Sequence, residues 1–401
     1  ACFFVALLQA AMPIKFYQTE WRTSKTHKDL CLLPDPLLKM VIVECEFGEG
    51  SNGTWCACVI EKDLFMSSLS IPKFPLSRCS EKEAMRDYIE LTNMNCLELI
   101  EKQPWKSRSE LPEEAIFNYV IKKNNIGNKS SNFFHWQARV SCDSNTAPSP
   151  IRAWYDEKLR KNIESSVYYK QSHSSALTMR GYVPSQFRPS AAKAVYQLFN
   201  AKKIYDPCGG WGDRLCGALA SNSVFYYCRD VNPMVFSGYS LQQKNYASGV
   251  QTAFEYKGSE VDCPKEGYFD LVFTSPPYWK VEKYQGSKQS YLLYKKFDSW
   301  MQSFLLPMMT NAWLSLQDGG TMIMNISDCY ANHTYNKICE PLIDYAISNL
   351  PDCYLMGIIG YEISKRKKNG VNAEPMIVFR KGNPASFAEL LPESKQTELD
   401  I

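Results

Sequence analysis

The chain has 401 residues, 45% of them hydrophobic and 13% aromatic, and a formal net charge of +3. That length and apolar content suffice for at least one large core, and two domains are the expectation. The near-neutral balance excludes binding of a polyanion by overall charge alone, so a nucleic-acid contact needs a local basic patch.

The first residues, "ACFFVALLQAAM", are apolar, lack a basic leader region and are too short to span a bilayer. They read as an upstream read-through ahead of Met12 or a buried segment rather than a signal-peptide remnant. No other stretch is apolar enough for a membrane span. The 15 cysteines include no CxxC pair, and only four histidines are present. That pattern speaks against a disulfide framework and a zinc site, so no metal is expected. The thiols read as reduced, hence an intracellular compartment, cytoplasm or nucleus.

Up to about residue 150 the pattern is irregular. "MVIVECEFG" and "GTWCACVIE" read as two strands around a Gly/Ser/Asn turn. "SEKEAMRDYIELTNMNCLELIEK" reads as a helix in which Ser80 and Glu83 form a capping box. "NNIGNKSSN" and "SNTAPSP" are polar loops. Beyond 150 the pattern becomes regular. "IRAWYDEKLRKNIESSVYY" and "RPSAAKAVYQLFN" are helices, the second opened by Pro189 and Ser190. "KKIYDPCGGWGDRL" is a strand, a glycine turn and a helix start; "SVFYYCRDVNP" is a second strand ending in an acid. The helix "GYSLQQKNYAS", the short strand "FEYKGSE" and the strand "YFDLVFTSPPYW" follow. "FDSWMQSFLLPMMTNAWLSL" is one long helix, and "GTMIMNISD" a fifth strand. The C-terminal "ESKQTELDI" reads as solvated. Strands alternating with helices predict an α/β fold with a doubly wound, mostly parallel sheet. The irregular first half predicts an N-terminal α+β accessory domain over 12–150, ahead of a main domain over 151–385.

Two stretches carry chemistry. In "DPCGGWGDR", Gly209, Gly210 and Gly212 let the backbone turn sharply and approach a ligand. The turn has neither GK[ST] nor GxGxxG, which argues against a P-loop and a nicotinamide-dependent oxidoreductase. Asp230, about 20 residues past the glycines, is placed to take two ribose hydroxyls. In "TSPPYW", the two prolines fix φ and remove two backbone donors. At the carboxyl end of a strand, such a corner presents rigid acceptors beside the Tyr278 ring, which suits a planar group bearing an NH2. A plain Pro-Pro turn that only caps the strand is the bland alternative.

Together these residues resemble the S-adenosylmethionine-dependent DNA amino-methyltransferases, the N4-cytosine and N6-adenine enzymes. "DPCGGWG" resembles their DPF-x-G-x-G motif, with Cys208 where Phe is common, and "TSPPYW" their [DNS]-PP-[YFW] motif. "FRPSAAKAVYQLF" resembles the helix that closes over the cofactor, and "EPMIVFRK" the last strand, so the likeness spans roughly 165 to 381. It implies a Rossmann-like class I methyltransferase domain and S-adenosylmethionine as cofactor, held by Asp206, Pro207, Cys208, Gly210, Gly212, Asp230 and Ser259, with Glu260 an alternative near the adenine ring. Ser275, Pro276, Pro277 and Tyr278 are then the catalytic group. Ser275 and the Pro276 carbonyl orient the amino nitrogen for direct in-line methyl transfer, and no nucleophilic cysteine lies in the motif.

The partner implied is DNA, either a duplex with a flipped base or a single strand. Trp279, Lys280, Arg366 and Lys367 are the candidate substrate contacts, with Lys283 and Lys368 beside them; a solvated loop is the alternative for "SKRKK". Serine in the motif leans toward cytosine N4 over adenine N6. An RNA base, a glutamine amide and a catalytically inactive cofactor-binding module stay open. Asp213 and Arg214 read either as a helix cap and a surface ion pair or as part of the site, Asp328 either as a pocket residue or a loop cap. Trp211 packs over the cofactor or a helix, Arg188 and Pro189 shape the closing helix, and His135 and His173 read as structural. The span between the two motifs is too short for an inserted recognition domain, which assigns any sequence recognition to residues 12–150.

Overall fold

The computed structural model describes residues 40–43, 58–61, 73–145, 147–167, 172–246, 248–331, 333–365 and 371–382. The chain divides into two compact units, Ala1–Pro75 and Leu76–Ile401. In the first, β1 (Met40–Val43) pairs antiparallel with β2 (Cys58–Glu61), as the two apolar runs predict. Arg366, Lys367, Lys368 and the tail "ESKQTELDI" lie outside the described residues.

The second unit begins with α1 (Glu81–Asn93), whose capping box is formed as expected: the Ser80 side chain accepts from the Glu83 N–H, and the Glu83 carboxylate accepts from the Ser80 N–H. Next come β3 (Ile100–Lys102), β4 (Trp105–Lys106), β5 (Ile116–Ile121), α2 (Asn128–Val140) and β6 (Asp143–Ser144). The predicted helix over 151–169 is broken into α3 (Pro150–Tyr155) and α4 (Glu157–Glu164). Asp156 between them is extended, and its carboxylate caps α4 by accepting from Leu159 N–H at 2.9 Å. Then follow α5 (His173–Met179), α6 (Pro189–Leu198), β7 (Lys203–Asp206), α7 (Asp213–Leu219), β8 (Phe225–Asp230), α8 (Phe236–Tyr246), β9 (Gln251–Tyr256), β10 (Phe269–Thr274) and β11 (Glu282–Lys283). The long helix expected over 297–316 is interrupted: α9 (Phe297–Trp300) runs into a π-helical turn, Met301–Leu305, and then α10 (Leu306–Ser315). Pro307 has no N–H to donate and its ring crowds the preceding turn, and the wider turn absorbs both. β12 (Leu316–Asn325), α11 (Cys339–Asn349), β15 (Cys353–Lys365) and β16 (Val371–Lys381) complete the unit, with the small hairpin β13 (Cys329–Ala331)/β14 (Thr334–Asn336) before α11.

One sheet organises these elements. Its order is β3-β5-β15-β16-β12-β10-β7-β8-β9, with β4 added against β16. β12, β10, β7, β8 and β9 run parallel, and β16 is antiparallel to both β12 and β15. The fold is the expected α/β, doubly wound, mostly parallel Rossmann-like class. The winding reverses between β7 and β10, and a sheet of this kind opens its ligand crevice there, beyond the strand carboxyl ends.

Two apolar cores flank the sheet. One buries Tyr226, Tyr239 and Phe273 completely, the other Trp300, Trp313 and Phe379. Each such side chain contributes about 1.5–3 kcal/mol.

The expected boundary near residue 150 is not where the compact unit begins. β5 pairs parallel with β15, and β3 pairs with β5, so residues 100–121 belong to the same sheet as the glycine turn. The Tyr88 hydroxyl of α1 donates to the Leu219 carbonyl at 2.8 Å. The helix expected over 80–102 ends at Asn93 and β3 takes its last three residues, while β4, with two residues, is too short to show alternation.

Candidate active site

The turn after β7 is held from below. Asp206 is fully buried, and its carboxylate pairs with Arg214 Nε at 2.7 Å and accepts from the Tyr226 hydroxyl at 2.7 Å and the Cys208 N–H at 3.2 Å. Arg214 also donates to the Cys208 carbonyl. Asp206, expected among the cofactor contacts, thus lies beneath the turn, with its carboxylate occupied by the chain itself. Arg214 is buried with it rather than at the surface, and Asp213 is buried against Ser131 and Gln186.

Gly210 and Gly212 both sit at positive φ, +59° and +68°. At Gly212 a Cβ would run into His135 Nε2 and the Gln242 side chain. Gln242 Nε2 donates to the Gly212 carbonyl at 3.0 Å, and the Tyr239 hydroxyl donates to the Gly210 carbonyl at 2.5 Å. Helix α8 thereby clamps the turn from the side. Burial holds His135 neutral, its imidazole lowered to about 4.

Above the turn, the carboxyl ends of β7 to β10 open into a cleft. Pro207, Cys208, Gly210, Asp230, Ser259, Ser275 and Pro277 all line it, so both sequence motifs share one cavity. Asp230 accepts from the Gly210 N–H at 2.8 Å and the Asn232 N–H at 2.7 Å, which aims its carboxylate across the turn. Burial raises it to about 6 despite those hydrogen bonds. Ser259 Oγ donates to the Pro207 carbonyl at 2.6 Å and accepts from the Tyr205 hydroxyl at 3.0 Å, tying the loop after β9 to the turn. Glu260 and Trp211 also line the cleft, and Glu260 Oε2 and Trp211 Nε1 are buried there without a hydrogen-bond partner.

Ser275 and Pro277 follow directly on β10, while Pro276 is buried behind them and Tyr278 is half-buried. Trp279, expected to touch substrate, is 5% exposed and packs edge-on against Phe297 with centroids 5.5 Å apart. Lys280 Nζ lies over that indole at 4.5 Å, so both serve the wall behind the corner. Lys283 belongs to β11, which pairs with β6. Asp328 caps α11, its Oδ1 accepting from Ile338 and Cys339 N–H at 2.6 and 2.9 Å. His173 packs edge-on against Trp154 at 5.3 Å.

Sequence reasoning missed Asn232, Tyr284, Gln289, Ser290 and Phe304, which also line the cleft. They come from the loop after β8, the excursion following Trp279, and the π-helical turn. Only nearness to the SPPY motif pointed to any of them.

Residues 269–400 match the family model for DNA methylases of the N6/N4 type. The DNA methylase match opens at β10 and contains the SPPY corner, while the glycine turn and Asp230 lie upstream of it. It bears out the amino-methyltransferase resemblance, and with it S-adenosylmethionine as the methyl donor. The cleft fits that cofactor: an acidic group for a ribose, an unpartnered carboxylate oxygen for an amino group, and apolar walls from Pro207 and Phe304.

No curated protein matches the chain in sequence. Similar solved structures include TrmN from Thermus thermophilus, at 14% identity over 48% of each chain and a TM-score of 0.34. An rRNA methylase from Streptococcus thermophilus aligns at 12% identity over 50% of this chain and 100% of its own, TM-score 0.32. Magnesium protoporphyrin IX methyltransferase from Synechocystis PCC 6803, with bound SAM, aligns at 11% identity over 58% and 95%, TM-score 0.33. The chain therefore spans about half the length of TrmN. Among the described residues no cluster of His, Cys, Asp and Glu has metal-binding geometry, and no helix is long and apolar enough to cross a membrane.

Proposed function

We propose that this protein methylates an exocyclic amino group of a DNA base, cytosine N4 ahead of adenine N6. The observation that carries the reading is the shared cleft: Ser275 and Pro277 line the same cavity as Gly210 and Asp230. Methyl transfer requires the acceptor amino group and the cofactor's methyl in line, and one cavity holding both motifs suits that requirement.

When bound, S-adenosylmethionine supplies an electrophilic methyl on a sulfonium. The chain's residues do the rest. Asp230 accepts hydrogen bonds from the ribose, and the Asp206–Arg214 pair keeps the glycine turn in register beneath it. Ser275 and the Pro276 carbonyl accept from the amino hydrogens, which raises electron density on the nitrogen and aims its lone pair. Tyr278 holds the ring of the base. Serine rather than aspartate at position 275 favours cytosine.

The test incubates the full chain with tritiated S-adenosylmethionine and DNA, RNA or protein, followed by nucleoside digestion and mass analysis. The expected product is N4-methyldeoxycytidine. Label confined to RNA or protein overturns the DNA reading, and N6-methyldeoxyadenosine alone overturns the cytosine preference. Cofactor binding without any label in any acceptor overturns the enzyme reading.

A further inference from the structure

A near-neutral chain that binds a polyanion needs a local basic patch, and one follows the SPPY corner directly. Residues 280–296 carry five lysines, Lys280, Lys283, Lys288, Lys295 and Lys296, and a single carboxylate, Glu282. Glu282 accepts from the Tyr284 hydroxyl. None of the five lysines forms an ion pair with a described residue. Lys257, which lines the same cleft, is tied to Asp262 instead.

This excursion is anchored along its length. β11 pairs with β6, and Gln285 Nε2 donates to the Ser141 carbonyl at 2.6 Å. Trp300 Nε1 donates to Ser290 Oγ at 3.1 Å, and Trp279 Nε1 donates to the Tyr294 carbonyl at 3.4 Å. Between those last two anchors, Ser290–Leu293 makes one helical turn. Both of its flanks meet the cleft. Lys288, Gln289 and Ser290 line it, and the Tyr294 hydroxyl lies 3.5 Å from Oε1 of Glu260, another lining residue. The turn therefore stands at the edge of the cleft. Its outer residues are apolar and uncovered: Leu292 is 43% exposed and Leu293 53%. Lys288 precedes them and Lys295 and Lys296 follow, all three exposed.

We propose that this turn opens a DNA duplex: Leu292 and Leu293 enter the base stack where the target base has left it, and Lys288, Lys295 and Lys296 hold the phosphates around that gap. The inference rests on the DNA amino-methylation reading above and names the duplex as the form of its substrate. A base inside a duplex cannot reach Ser275 until it is flipped out, and apolar wedges enter unstacked base steps in this way. Leucine has no ring face on which a splayed base could lie, so the tip suits a gap in a duplex better than a single strand. The unpaired cations on both sides of the tip match the backbone charge that borders such a gap. The anchors beneath the turn hold its shape before DNA arrives, which lowers the ordering cost of binding.

The test uses the full chain, tritiated S-adenosylmethionine and one unmodified amplified DNA, either native or heat-denatured. The wild type is expected to label the native form. Leu292→Ala/Leu293→Ala should lower that rate about tenfold and leave the rate on denatured DNA nearly unchanged, with calorimetric cofactor affinity equal to that of the wild type. Binding to the native DNA is followed by fluorescence polarisation over a salt series. Lys295→Gln/Lys296→Gln, chosen because Lys288 also lines the cleft, should reduce the slope of log K against log salt by about 2. Equal losses on both forms of DNA overturn the inference, as does a wild type that labels only denatured DNA. A salt slope that the lysine variant leaves unchanged overturns it too. So does a leucine variant equal to the wild type on native DNA; if that variant has also lost self-association by light scattering, the tip is an interface between copies of this chain. Absence of label in every nucleic acid sinks the amino-methylation reading and this inference with it. Label in native DNA with an indifferent leucine variant overturns the inference alone.

Discussion

The Asp206–Arg214 pair offers the sharpest test of how the glycine turn is built. Asp206 is fully buried, and the Arg214 side chain is 5% exposed. Removing one partner leaves the other as a buried charge without its counter-ion, which costs about 3–5 kcal/mol. Asp206→Asn leaves the guanidinium with the Cys208 carbonyl as its remaining acceptor here, and Arg214→Met leaves the carboxylate with Tyr226 and the Cys208 N–H. Each single variant should fall in that range by urea denaturation. The double variant Asp206→Asn/Arg214→Met should be more stable than the sum of the two losses, because it carries no uncompensated charge. Calorimetric titration with S-adenosylmethionine should show weakened binding in both single variants, since Arg214 fixes the Cys208 carbonyl at the cleft floor. Single losses below about 1 kcal/mol, the range of exposed pairs, would refute the assignment of this pair as the buried anchor. Strictly additive losses would refute the coupling.

Other outcomes follow from the same geometry. Asp230 must be ionised to accept two ribose hydroxyls, and burial raises it to about 6; cofactor affinity should therefore fall as pH drops through 6. Asp230→Asn should bind weakly with no such slope, by titration at a series of pH values. Ser275→Ala and Tyr278→Ala should lower turnover about a hundredfold while leaving cofactor affinity nearly unchanged; equal loss of both would make the corner structural. His135 is lowered to about 4 from an ordinary 6.5, so the folded protein binds its proton less readily than the unfolded chain. Its contribution to stability is complete above pH 6.5 and is lost as pH falls toward 4, by about 3 kcal/mol in all. The difference in denaturation free energy between wild type and His135→Asn should follow that curve; a constant difference would mean that the imidazole is not held neutral.

Much of the catalytic half is legible in the sequence because its signals are local. Each parallel strand reads as a short apolar run beside a helix, and the positive φ at Gly210 and Gly212 requires residues that tolerate it. Asp230 announces itself by spacing. The Asp206 motif position is equally visible, yet its carboxylate faces Arg214 and Tyr226, and a linear pattern does not say which side of a turn a side chain takes. Trp279 fails for the same reason: it follows the SPPY motif but turns inward against Phe297. β3 falls at the end of the stretch that reads as a helix and β4 is too short for a period; their strand character comes from pairing with β5 and β16.

The pairing of β5 with β15 also decides where the protein can be cut. β15 is 13 residues long, and β5 lies along one side of it from Ile116 to Ile121. A fragment starting near residue 150 retains both motifs but strips that cover from the strand, leaving its N–H and C=O groups free to template pairing with a second molecule. Such a fragment should precipitate or self-associate even though every residue of the cleft is present. A fragment starting at Leu76 keeps the edge covered, so chemistry and solubility are expected to travel together in it.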